Sequence, residues 1–145
     1  MNRPSTGFDL IAVVDWSAAA SPGPVRPKKD RVWLAWGTAS ERPPPVYCRT
    51  RNDCLDHLEG LVRRTGGNAL VAWDFPFGYP AESGLGGGRE IASRLAELIE
   101  DGPRDRNNRF AVADDLNRAI GSDAGPFWAR PASVAADTVP EKKPD

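Results

Sequence analysis

The chain has 145 residues, 40% hydrophobic and 27% charged, which suits one soluble globular domain around one core. A formal net charge of −1 excludes any general pull towards polyanions, so contact with nucleic acid has to rest on a local patch. No apolar run approaches the roughly 20 residues of a membrane span, and the residues before Phe8 lack the long apolar region of a secretion signal, so no membrane partner and a cytoplasmic protein are expected.

Residues 8–15 predict a first strand, almost wholly apolar and ending in Asp15. Residues 17–30 are rich in proline, glycine and small residues and predict a loop, which carries Arg26, Lys28 and Lys29 with Arg31 just beyond. Residues 31–39 predict a second strand, with Val32, Leu34 and Trp36 on one face and Trp33 and Ala35 on the other. Prolines 43–45 make a turn, and Val46-Tyr47-Cys48 a short third strand at or near an edge, because prolines precede it. Three strands with short links predict an antiparallel meander.

A helix follows, capped by Asn52 or Asp53 and striped by Leu55, Leu58, Leu61 and Val62. Arg63 and Arg64 suit its negative end, and Gly66-Gly67 stop it. Ala69-Leu70-Val71-Ala72-Trp73 then reads as a buried strand that delivers Asp74 just where Pro76 and Gly78 forbid it to continue. Residues 79–88 predict a loop. Its glycines, Gly84 to Gly88, precede a helix but fit neither glycine-rich phosphate motif, so a flexible loop is expected there. Helices are predicted from about 89 to 101 and from Asn108 to Ile120. One domain is expected over 1–131. Residues 132–145, rich in Ala, Pro, Lys and Asp, are expected to be disordered. Cys48 and Cys54 have no metal-ligand spacing and only His57 for company, which predicts two buried thiols.

The order β-β-β-α-β-α-α opens an α/β fold of RNase H-like type, in which the fourth strand lies parallel to the first. A right-handed crossover through the first helix places their ends side by side. Asp15 and Asp74 would then stand about one strand spacing apart, roughly 5 Å. Adjacent carboxylates repel unless one keeps its proton or a cation sits between them. Magnesium or manganese, which accept one or two carboxylates, water and phosphate oxygens, would meet that need, and two such ions serve phosphodiester hydrolysis.

Val14-Asp15-Trp16-Ser17, Trp73-Asp74-Phe75-Pro76-Phe77-Gly78, Asn107-Asn108-Arg109-Phe110-Ala111-Val112-Ala113 and Gly125-Pro126-Phe127-Trp128 resemble segments of an uncharacterised bacterial family of predicted nucleases with an RNase H-like fold. The resemblance implies a metal-dependent hydrolase with Asp15 and Asp74 as metal ligands, and a third acid on the first helix, for which Asp53 is the first candidate and Asp56 the second. The late-helix acid it implies has only Asp114, Asp115 and Asp123 to choose from. It also implies a fifth strand, which the sequence does not show; either Pro126-Phe127-Trp128-Ala129 is a degenerate one or the chain stops before it.

Ser17, Lys28, Lys29 and Arg109 are the candidate substrate contacts, with Trp33 beside the first basic group and Arg104 and Arg106 completing a second. Two other readings stay open. A related β-β-β-α-β unit binds ATP phosphates in actin-like ATPases and sugar kinases, although Trp16 follows Asp15 where those turns carry glycine. A truncated domain could also bind a partner through exposed aromatics.

Overall fold

The computed structural model describes residues 7–75, 78–79, 81–121 and 126–144. Where the sequence predicts one domain, the chain divides into two compact units: Met1–Phe75 with Pro103–Arg106, and Pro76–Gly102 with Asn107–Asp145. The described residues form a four-stranded mixed sheet and three α-helices, an α/β chain.

The first unit holds the sheet. Its strands are β1 (Leu10–Asp15), β2 (Val32–Gly37), β3 (Val46–Cys48) and β4 (Ala69–Trp73), in the order β3-β2-β1-β4. β1 runs antiparallel to β2 and parallel to β4, and β2 runs antiparallel to β3. Helix α1 (Arg51–Thr65) supplies the crossover from β3 to β4.

The side chains of β1 alternate. Leu10, Ala12 and Val14 are fully buried, whereas Ile11, Val13 and Asp15 are exposed. The buried set joins Val32 and Leu34 of β2 and Cys54, Leu58 and Leu61 of α1 in one core. Each fully buried aliphatic side chain there contributes about 1.5–3 kcal/mol. β1 therefore buries one face and leaves the other exposed. The sequence reading of buried strands is corrected on this point: Ile11, Val13 and Leu70 are 40%, 49% and 43% exposed. An unbroken apolar run does not separate a strand covered on both faces from one covered on one.

The cap of α1 also differs from expectation. Thr50, extended at φ −130° and ψ 162°, is the N-cap, and Asp53 is the third residue inside. Thr50 Oγ1 accepts from the Asp53 N–H at 3.0 Å, and Asp53 Oδ2 accepts from the Thr50 N–H at 3.0 Å. This reciprocal capping box satisfies two otherwise free donors. The buried stripe runs through Cys54, Leu58 and Leu61, with Leu55 and Val62 at its margin, because an unoxidised cysteine behaves as a small apolar residue. Gly66 ends the helix in the left-handed region at φ 63°. Beside it, Asp9 Oδ2 accepts the Asn68 N–H at 2.9 Å, so close to Gly67 that a Cβ there would collide with the carboxylate.

The second unit contains α2 (Gly88–Leu98) and α3 (Arg109–Ile120). Leu85, Ile91, Val112 and Leu116 form its core, with Tyr79, Leu95 and Phe127 against them. Residues 132–144, expected to be disordered, pack here: Ala136, Thr138 and Val139 are buried. The polar side chains of α3 hold them. Asn117, fully buried, donates to Thr138 O at 2.6 Å and Phe127 O at 3.1 Å and accepts from the Phe127 N–H at 3.1 Å. Asp114 Oδ1 accepts from the Thr138 N–H at 2.6 Å and from its hydroxyl at 2.7 Å. Among the described residues 126–129 form no strand.

Candidate functional site

β1 and β4 deliver their two acids together. Val14 and Trp73 are register partners in the parallel pair, so Asp15 and Asp74 are the next residues on adjacent strands. The Asp74 N–H reaches Val14 O at 3.3 Å, and Asp74 Oδ1 accepts the Trp16 N–H at 2.8 Å. The two carboxyl groups, placed at neighbouring strand ends, face each other as like charges. Loss of solvation, then the proximity of the Asp74 carboxylate, hold the Asp15 carboxyl above its ordinary value, and Asp30 adds to the effect. Both residues remain exposed at the rim.

The period of the strands decides which side of the sheet the acids take. Asp15 continues the series Ile11, Val13, and pairs with Trp33, while Val13 pairs with Ala35. An open depression of about 610 Å³ lies on this face. Val13 and Ala35 form its floor, Trp33, Pro44 and Pro45 line it, and Asp15 and Lys29 bring opposite charges to it. Trp33 is fixed from two directions. Its indole N–H donates to Lys28 O at 2.9 Å, and its ring lies 5.3 Å from that of Tyr47. Tyr47 in turn donates its hydroxyl to Pro24 O at 2.9 Å, so the 17–30 loop is anchored to β2 and β3.

The aromatic residues that flank the acids in sequence take the other side. Trp16 packs against Trp73 with ring centroids 5.3 Å apart and against Phe75 at 5.9 Å, and Trp16 and Trp73 lean on the core shared with α1. Carboxylates and tryptophans that alternate along the chain thus separate across the sheet.

Other predicted residues fall elsewhere. Asp53 is engaged in the capping box of α1, which covers the face opposite to Asp15, and Asp56 lies exposed on the same helix. Among the described residues no three His, Cys, Asp or Glu side chains gather closely enough to hold a metal ion. Asp53, expected as a third ligand, is thus held by the Thr50 backbone in the capping box. Asp114 and Asp115 belong to the second unit, where both pair with Arg118, at 2.7 Å and 3.6 Å. Asp123 lies outside the described residues, as do Pro76 and Phe77 of the turn after β4.

Of the candidate substrate contacts, Lys29 lines the depression and the Lys28 carbonyl accepts from the Trp33 indole. Ser17 Oγ accepts the Ala19 N–H at 3.3 Å. Arg109 lies in the second unit with its guanidinium 4.3 Å from the Phe110 ring centroid. In the glycine loop, the Gly87 N–H is taken by Glu90 Oε2 at 3.0 Å, so that helix start is capped from within.

Sequence reading missed Arg51 and Asp105. Arg51 is 7% exposed and opens α1; its guanidinium donates to Ala19 O and Asp105 O, each at 3.1 Å, while its own N–H donates to Asp105 Oδ1 at 3.0 Å. Arg104 and Asp105 adopt left-handed φ of 58° and 64°, uncommon for residues with a Cβ. No periodicity marks an arginine at a helix start, and Asp105 sits among arginines that read as a basic patch, so no local signal points to either. Against family models, curated proteins and solved structures, the chain matches none.

Proposed function

We propose that this is an RNase H-like domain that hydrolyses phosphodiester bonds in nucleic acid, with Asp15 and Asp74 as ligands of a divalent cation, magnesium or manganese. The observation that carries the reading is the placement of Asp15 and Asp74 side by side at the carboxyl ends of two adjacent parallel strands. That rim is where open α/β sheets take their ligands.

The residues present suit such an ion. Two exposed carboxylates on adjacent strand ends offer the hard oxygen donors and the open positions that magnesium keeps for water and phosphate. When bound, the cation neutralises the pair and lowers the pKa of its water. The chain itself fixes Asp74 through the Trp16 N–H and sets Asp15 at the edge of the depression that carries Lys29. A nucleotide-phosphate turn is supported less well, because the N–H that follows Asp15 is already given to Asp74 and the Trp16 ring fills the place of a glycine.

The test is incubation of the purified chain with single-stranded and duplex DNA and RNA, with magnesium, with manganese and with chelator. Cleavage that needs the metal and disappears in both Asp15→Asn and Asp74→Asn supports the reading. Cleavage that persists in both variants, or none with any substrate and metal, overturns it.

A further inference from the structure

Resting on that reading of the carboxyl pair, we infer that the depression beside Asp15 receives one unstacked base of a single-stranded nucleic acid, so that the adjoining phosphate meets the two acids. The shape and chemistry of the depression argue for this occupant. Its volume of about 610 Å³ falls within the range of sites for small ligands. Its floor is apolar and short-chained, Val13 and Ala35, and its wall is an indole held by a hydrogen bond to Lys28 O and by contact with Tyr47. A fixed aromatic wall stacks any base, whichever its sequence, because every base has a π-face.

The charges choose between a base and an apolar partner. Lys29 and Asp15 both lie in the lining, and Lys29 makes no ion pair among the described residues. An apolar helix laid over this face would bury both charges and strip them of water. A nucleotide instead presents an apolar ring to the floor and an anionic backbone to Lys29. Bases inside a duplex keep their faces stacked on each other and cannot enter, so the site selects single strands.

The experiment is fluorescence anisotropy with a labelled thymidine homopolymer and with its duplex, in chelator and in calcium, across a salt series. The wild-type chain should bind the single strand more tightly than the duplex. Trp33→Ala should weaken single-strand binding by roughly 5- to 150-fold, and Trp33→Phe, which keeps a ring, should retain most of it. Lys29→Gln should reduce the slope of log affinity against log salt by about 0.7. Equal affinity for duplex, absence of binding in both chelator and calcium, or wild-type behaviour of both Trp33→Ala and Lys29→Gln overturns the inference. If thermal melts show Trp33→Ala unfolded, Trp33→Leu against Trp33→Phe and the Lys29→Gln slope decide the matter. Metal-dependent cleavage indifferent to Trp33 and Lys29 removes the base site alone. Single-strand binding that needs Trp33, without cleavage in any metal, removes the nuclease reading and leaves the binding site.

Discussion

Asp74 accepts the backbone N–H of Trp16 at 2.8 Å across 58 positions of sequence, and its negative charge acts on the neighbouring carboxyl of Asp15. One side chain thus fixes the exit of β1 and faces a like charge. These two effects can be separated by substitution. Asp74→Asn keeps an oxygen for Trp16 and removes the repulsion, so without metal it should melt at or slightly above the wild-type temperature. Asp74→Ala loses the bond and should cost about 0.5–1.5 kcal/mol, read as a lower urea midpoint at unchanged slope.

The raised Asp15 carboxyl gives a pH signature with a definite sign. A carboxyl whose folded value lies above its unfolded one subtracts stability; the loss is absent in acid and complete above the folded value. Asp15→Asn should therefore equal the wild type in acid and match or exceed it at neutral pH, as followed by thermal melts from pH 3 to 8. Added manganese should reverse the order at neutral pH by stabilising only the wild type, and the gain should fade in acid as protons compete.

Asp114 predicts the opposite trend in the second unit. The Thr138 N–H and hydroxyl, then Arg118, hold its carboxyl below the ordinary value despite its loss of solvation. That contribution is present above the unfolded value and is lost as pH falls through the folded one. Thr138→Val should loosen residues 126–144 at neutral pH and move the acid transition upward. Limited chymotrypsin digestion after Trp128, which is followed by Ala129, would report it as faster cleavage with α3 intact.

The thiols should be silent in the folded chain. Cys48 and Cys54 are buried at 1% and 0% exposure, and burial, followed by the neighbouring Cys48, pushes the Cys54 thiol up to about 12. A thiol held in that form is a poor nucleophile. A disulfide reagent at pH 8 should react slowly with native protein and rapidly with both cysteines in denaturant.

Leu34 lies at the centre of the first core with no exposure. Leu34→Ala should cost roughly 2–5 kcal/mol, visible as a lower urea midpoint, while Val13→Ala on the open face should change stability little.

Much of the first unit could be read from the sequence. The alternation in 31–39, the prolines before Val46 and the glycines after Arg64 each carry a local cause, and the element order places β4 beside β1. The juxtaposition of Asp15 and Asp74 follows from that order. What the sequence hid depends on polar contacts over long separations. Asn117 and Asp114 bind Phe127 and Thr138 by hydrogen bonds, so residues 132–144, which lack hydrophobic pattern and read as unstructured, pack. Asp53 reads as a third ligand from its place near the N-terminal end of the first helix, and that same place makes it the partner of Thr50 in the capping box.

The guanidinium of Arg51 grips Ala19, in the loop that leaves β1, and Asp105, in the turn at Pro103–Arg106. A single cation at the head of α1 is thus the knot between two chain segments that would otherwise move separately. Loosening either one frees donors that the other relies on, so substitutions in the two segments should be non-additive, with the same residue as their shared partner.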